Sequence, residues 1–178
     1  SGRFGDLARD AMNAEGIRIG IADRAERDTG LCVAITDASA ERSFVSYIGA
    51  EGELSTEDLA SVPPEAGDYA YLSGYSLLHS AKAQALVDWT LALRNDVSVV
   101  FDPGPLVNSP DEPLMQSLLA RIDVWTSNAV EALTFTGAAD ITEALDCLAE
   151  HLSASALIVV RDGPQGCWIS QGSQRRHV

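Results

Sequence analysis

The chain has 178 residues, 46% of them hydrophobic, and a formal net charge of -14. That length suits one domain with a real core, and the composition is that of a globular protein, not a disordered one. The negative charge argues against nucleic acid and against anionic membrane as partners, because both require a basic face; a small anion held by local donors stays open.

A helix is expected over residues 4–15. Short β-like runs follow at 17–21, 31–35 and 43–47, separated by Asp28-Thr29-Gly30 and Asp37-Ala38-Ser39. They read as a small antiparallel unit. Ser55-Thr56-Glu57-Asp58 is a capping-box candidate for a short helix reaching Val62. From Asp68 the pattern changes. Apolar strands at 69–72, 97–101, 122–125 and 156–160 alternate with helices at 81–94, 113–120, 129–135 and 141–152, the last introduced by Asp140. Residues 166–178 read as a hairpin. Continuous apolar strands between amphipathic helices indicate an α/β fold with a parallel sheet covered on both faces. No internal repeat and no low-complexity segment occurs.

No apolar run approaches a membrane span, and SGRFGDLARD at the start has no signal-peptide core. Cys32, Cys147 and Cys167 are scattered, as are His79, His151 and His177, and no C-x-x-C occurs. Neither a zinc site nor a disulfide framework is indicated, and the expected compartment is the reducing cytoplasm.

In sheets of this kind ligands bind beyond the carboxyl ends of the strands. After Leu72 comes SGYSLL, after Phe101 DPGP, after Trp125 TSNAVEA, and after Val160 RDGPQG. Each has a plain structural reading as a turn or helix start. Asn128 and Glu131, three apart, have the spacing of a capping box, and a helix N-terminus after a strand also favours an anion. The two readings are compatible.

Taken in order, the stretches FGDLARDAMNAEGI, DTGLCVAITDASAERSF, DYAYLSGYSL, VVFDPGP, DVWTSNAVEALTFTG and VVRDGPQGCW resemble the ribokinase family, the PfkB carbohydrate kinases. The resemblance covers almost the whole chain. The Asn-x-x-Glu run followed by a strand and Gly-x-x-Gly is its most specific part. It implies a Rossmann-type sheet with a small β lid, here at about residues 17–50, over a core segment at 55–178. It implies ATP as phosphoryl donor to a sugar hydroxyl, with magnesium (Mg2+), and a homodimer through the lid.

By the same resemblance, Asn128 and Glu131 lie near the phosphates and the metal, with Glu131 gripping Mg2+ through water. Gly163 and Gly166 match a loop beside the nucleotide phosphates. Arg161, where relatives often carry Thr, Ser or Lys, either clamps phosphate or pairs with Asp162 or another acid. Tyr75 and Asp102 are candidates for the sugar side, with a half-buried aromatic and a turn cap as their structural alternatives.

The family's Gly-Ala-Gly-Asp motif, which supplies the base and an anion hole, does not occur; Gly137-Ala138-Ala139-Asp140 is out of place for it. The Gly-Gly-x-x-x-Asn sugar segment is expected before Ser1, so the fold is expected to be incomplete at both ends. Two functions follow. One is a sugar kinase as the intact protein, with these 178 residues inactive alone. The other is a non-catalytic α/β binding domain of the same fold. YIGAEGEL resembles the Gly-Ala-Asn region of ribokinases. Kinases of acidic keto-sugars tend to place an arginine after the lid tyrosine, whereas Ile48 and Gly49 follow Tyr47 here, which disfavours a carboxylated sugar. Ribose, fructose, a nucleoside or another polyol stay open.

Overall fold

The computed structural model describes residues 2–21, 26–38, 42–77, 80–104 and 109–178. Ser39 of the second expected turn, Leu78 and His79 after SGY, and Pro105 of DPGP lie outside the described residues. The chain divides into two compact units, Ser1–Pro63 and Pro64–Val178.

The first unit opens with helix α1 (Arg3–Ala14), whose N-cap Gly2 has no side chain to offer. Asp28 supplies the missing acceptor from a distance. Its carboxylate takes the N–H of Phe4 at 3.0 Å and of Gly5 at 2.8 Å. Strands β1 (Leu31–Thr36) and β2 (Arg42–Tyr47) form an antiparallel ribbon, with Leu31 opposite Tyr47 and Val33 opposite Val45. At the base of the ribbon two backbones touch. A Cβ on Gly49 would collide with the Asp28 carbonyl and the Gly30 nitrogen, so only glycine fits. Glu51 closes this corner by accepting the N–H of Gly30 at 2.7 Å and of Gly49 at 2.9 Å. Helix α2 (Thr56–Ala60) begins with the expected capping box of Ser55 and Asp58.

The run at 17–21 is not a strand, which corrects the expectation from its alternation. β1 pairs only with β2 in this two-stranded sheet, so the run has no ladder to join. Gly20 instead lies against the Val62 side chain, where a Cβ would clash.

The second unit is a six-stranded sheet in the order of the chain: β3 (Tyr69–Ser73), β4 (Ser98–Asp102), β5 (Val124–Asn128), β6 (Leu157–Arg161), β7 (Cys167–Gln171) and β8 (Gln174–His177). β3 to β6 are parallel, and the β7–β8 hairpin adds antiparallel strands at one edge. Helices α3 (Ser80–Ala92), α4 (Pro113–Leu119), α5 (Ala129–Thr136) and α6 (Ile141–His151) lie between the parallel strands.

Sequential parallel strands joined by right-handed crossovers place every crossover on the same side. Burial follows that rule. Leu72, Val99, Phe101, Trp125, Ile158 and Val160 are buried and share one face. The opposite face carries exposed Tyr69 and Tyr71, with Val100, Val124, Leu157 and Val159 only half-buried, so the cover expected on both faces is present on one, because sequential crossovers of one hand collect on one side.

Trp125 is the hub of the buried face. It is fully buried, with its ring 5.5 Å from Phe101 and 4.8 Å from Phe135 of α5, both tilted. Its indole N–H donates to buried Ser127 at 3.0 Å. At the other end of the strands, Arg121 donates to Asp123 at 2.6 Å and to the Val97 carbonyl at 2.6 Å, while Asp123 accepts the Val99 N–H at 2.8 Å. That clamp fixes the start of β4 against β5.

Trp125→Ala removes an aromatic from both contacts and strands the Ser127 hydroxyl, so a loss of about 3–5 kcal/mol is expected. Urea unfolding checks this; a loss below about 1 kcal/mol would remove Trp125 from its place in the core.

The carboxylates of the first unit set an acid limb. The N–H groups of Phe4 and then Gly5 hold Asp28 below the usual carboxylate range. Burial pulls Glu51 upward, but the N–H groups of Gly30 and Gly49 outweigh it and the net direction is down. Their stabilisation is therefore complete above the ordinary carboxylate value of about 4 and is lost as pH falls through the lower folded values. Amide NMR shifts of Phe4, Gly5, Gly30 and Gly49 should all move in that window. In Asp28→Asn only the first pair should stop moving; flat wild-type shifts at Phe4 and Gly5 would contradict the cap.

Candidate functional site

The carboxyl ends of β4, β5 and β6 bring polar side chains together on the less buried face. Asp102, Thr126 and Arg161 alternate with the buried residues Phe101, Trp125 and Val160. The same alternation that sends a tryptophan into the core sends its neighbour the other way. Arg161 reaches across the intervening strand. Its guanidinium donates to the Thr126 hydroxyl and to Asp102 Oδ2, the latter at 3.4 Å. The pair is partly exposed, Arg161 by 46% and Asp102 by 21%, so screening keeps its stabilisation modest.

Tyr71 of β3 joins the group. Partial burial and then the Asp102 charge push its phenol up, and Arg161 pulls it back. Asp102 also accepts the Gly104 N–H at 3.1 Å, so its turn-cap role is present too.

β5 runs three residues past the expected end and stops at Asn128. The N-cap of α5 is thus the last residue of the strand. Asn128 Oδ1 accepts the Glu131 N–H at 2.8 Å, and Glu131 Oε2 accepts the Asn128 N–H at 2.8 Å. The box closes as its spacing indicated. It uses one oxygen of Glu131; Oε1 makes no hydrogen bond among the described residues. Glu131 is also near enough to Tyr71 for its charge to bear on the phenol.

The turn after β6 is more closed than the glycines suggest. Asp162 N–H donates to the Gly166 carbonyl at 2.8 Å, Gln165 N–H to Asp162 at 3.0 Å, and Gly166 N–H to Gly163 at 3.1 Å. Pro164 has no N–H, which leaves Gly163 as the one residue of 162–166 whose N–H is not used within the turn. Gly163 has a positive φ of 53°, and a Cβ there would meet open space. Gly166 has a packing reason of its own: with φ at 98°, a Cβ there would strike the Val178 carbonyl.

Tyr75 sits in a 3-10 turn (Gly74–Leu77) with its ring beside Gly104, and a Cβ there would lie 3.2 Å from it. It is 54% exposed and stands apart from the Arg161 hydrogen bonds. Of the residues named from sequence, the structure joins Asp102 directly to Arg161 and Asn128 to Glu131. Arg161 pairs with Asp102, not with Asp162. Sequence reading missed Tyr71 and Thr126. The signal was available for Thr126, which lies two residues before Asn128 on the same face of β5, but not for Tyr71, since no residue of β3 is a candidate from sequence.

The model of the pfkB family of carbohydrate kinases matches residues 1–178. The chain belongs to the pfkB family. Its sequence is 30% identical over 171 residues to the sugar kinase YegV of Escherichia coli (strain K12), covering 94% of this chain and 52% of that protein. Among solved structures, the fructokinase of Vibrio cholerae O395 with fructose, ADP and calcium ion bound superposes with a TM-score of 0.81 at 18% identity, over 100% of this chain and 59% of that one. The adenosine kinase of Sinorhizobium meliloti does so with a TM-score of 0.82 at 20% identity, over 100% and 55%. The chain thus spans about half the length of the curated relative it matches. The ribokinase-like fold of this pfkB chain is what those superpositions establish. Within it, the Asp102–Thr126–Arg161 group and the start of α5 occupy the strand ends where α/β sheets bind ligands.

Proposed function

We propose that the intact protein transfers the terminal phosphoryl group of ATP to a hydroxyl of a sugar or sugar-like alcohol. The observation that carries this is the meeting of one guanidinium, Arg161, with the N-terminus of α5 at the same strand edge. Both favour phosphate, the helix through its backbone N–H groups and partial charge, the arginine through its fork of donors. In a chain of charge -14 that local bias is needed to admit an anionic donor at all.

Among the described residues no group of three or more His, Cys, Asp or Glu side chains could hold a metal alone. Magnesium asks for less: one or two carboxylates, phosphate oxygens and waters. Glu131 fits, since one carboxylate oxygen stays outside the capping box. The ion, when bound, would neutralise charge on the donor phosphates. Asn128 orients α5, and Glu131 would hold the ion, when bound, through water with its second oxygen. The Gly163 N–H and Arg161 face the donor. Tyr75 and the mouth of the turn at Gly104 line the acceptor side. Three free cysteines fit the cytoplasm.

Asp140 does not serve as the base. Its carboxylate accepts the Glu143 N–H at 2.9 Å as the N-cap of α6. Phosphoryl transfer depends on positioning and on an anion hole, and residues 1–178 contain no Gly-Ala-Gly-Asp to provide one. A second reading, a non-catalytic α/β binding domain of the same fold, is favoured by the lack of Gly-Ala-Gly-Asp within residues 1–178.

The 178-residue polypeptide alone is expected to turn over no sugar, whereas the intact protein should consume ATP with at least one of ribose, fructose, a nucleoside or another polyol in the presence of MgCl2. A coupled ADP-release assay on both decides. Turnover by the polypeptide alone would refute the part assigned to the missing motif. ADP binding by the intact protein without turnover on any acceptor would select the binding-domain reading.

The ribbon of the first unit points to a homodimer. Leu31, Val33, Ile35, Val45 and Tyr47 share one face of β1–β2, and all are exposed. Only Gly49 and Leu59 are buried among the described residues of that unit, so its apolar surface is left to a partner. Sedimentation velocity should give a dimer for the intact protein and a shift towards monomer for Val33→Lys/Val45→Lys. A monomeric wild type would overturn this contact.

A further inference from the structure

Of the arginines in Pro64–Val178, Arg161 ends a parallel strand at its carboxyl edge, while Arg176 lies in the antiparallel hairpin opposite Ile169. Arg94 pairs with Asp96 and Arg121 with Asp123 at the opposite edge, and Arg175 pairs with Asp146 from the hairpin. Arg161 is held by groups from two other strands, Thr126 of β5 and Asp102 of β4. Asp102 is in turn fixed by the Gly104 N–H at 3.1 Å and flanked by Tyr71. An unrestrained arginine end samples many rotamers, and ordering it on a ligand opposes binding by its lost entropy. A guanidinium already fixed by two partners avoids most of that loss. Its remaining N–H groups stay available, because Thr126 and Asp102 engage only Nη1 and Nη2 and the side chain is 46% exposed.

We propose that Asp102 is a positioning residue: together with Thr126 it holds the Arg161 guanidinium across the end of β5 so that its open N–H groups meet an anionic phosphate of the nucleotide. This replaces the reading of Asp102 as a sugar ligand. The carboxylate is directed at a cation and at a backbone N–H, not left open to a hydroxyl. The proposal rests on the phosphoryl-transfer reading, and the experiment separates the two.

Calorimetric titration of the intact protein with ADP and MgCl2 comes first. No binding by the wild type would refute the nucleotide-site reading and this proposal with it. Given binding, Arg161→Gln and Asp102→Asn should each weaken ADP by about tenfold, corresponding to the loss of one charge-assisted contact. The double variant should be no weaker than Arg161→Gln alone, because Asp102 acts through the arginine. Thr126→Val, a near-isosteric change, should weaken ADP in the same direction by less, which keeps the test open if Asp102→Asn folds poorly. In steady state Asp102→Asn should raise the KM for ATP and leave that for the acceptor unchanged. Additive losses in the double variant, or an Asp102→Asn effect confined to the acceptor KM, would overturn the proposal.

Discussion

Everything at the carboxyl edge of the sheet depends on how Trp125 is seated. A strand residue determines the direction of both neighbours, since alternate side chains leave on opposite faces. With Trp125 locked between Phe101 and Phe135, β5 cannot rotate or slip by one residue without expelling its largest side chain from the core. Thr126 is therefore held on the other face and Ser127 is turned back to the indole N–H. Asn128 then falls at the first residue with freedom to cap a helix. One buried aromatic contact thus fixes the positions of a hydroxyl, an amide and a helix start. Phe135 belongs to α5, so the same contact that orients the strand also pulls the helix onto it.

The division between the two faces comes from chirality. Strands that follow one another in space and in sequence, with right-handed crossovers, gather the helices on one side. In this chain that side holds the buried core, and the polar groups lie on the other. The arrangement is useful electrically. An arginine in the core would keep its charge and would have to be fully paired by buried acceptors. Arg161 on the less buried face is held by Thr126 and by Asp102, the latter at 3.4 Å, through part of its guanidinium, and keeps enough contact with solvent to exchange water for a ligand oxygen.

Much of the architecture was legible because it rests on local rules. Apolar runs of four or five residues between helical patterns gave the parallel strands, Ser55 and Asn128 announced two helix starts by their spacing to an acid three residues on, and Asp140 introduced a third. The failures have specific causes. Residues 17–21 alternate like a strand but have no ladder to join, and pairing is a long-range property that alternation cannot report. The end of β5 was placed too early because Thr126 and Ser127 look like a turn, whereas their pairing with Val159 and Val160 makes them strand. Tyr71 and Thr126 lie inside family-like stretches without a role of their own there; they matter through neighbours on other strands, Thr126 through Arg161 35 residues on and Tyr71 through the charge of Asp102. Gly166 was legible as a constrained glycine, but its constraint is the Val178 carbonyl and not a ligand alone.

The capping box does not compete with a role in binding; it is the condition for one. A carboxylate that caps a helix has lost its rotational freedom through one oxygen and is held with the other in a fixed direction. Glu131 is in that state, with Oε2 on the Asn128 N–H. A free glutamate at the same position would lose up to about 2 kcal/mol of side-chain entropy on gripping an ion or its waters. Here that loss is already taken up by folding. Arg161 follows the same logic through Thr126 and Asp102. The two charges of opposite sign at this edge are each fixed by a neighbour through part of their hydrogen-bonding capacity, and each keeps the remainder. Preorganisation of this kind would make a partly exposed edge selective towards a ligand where an equal number of free charges would be merely sticky.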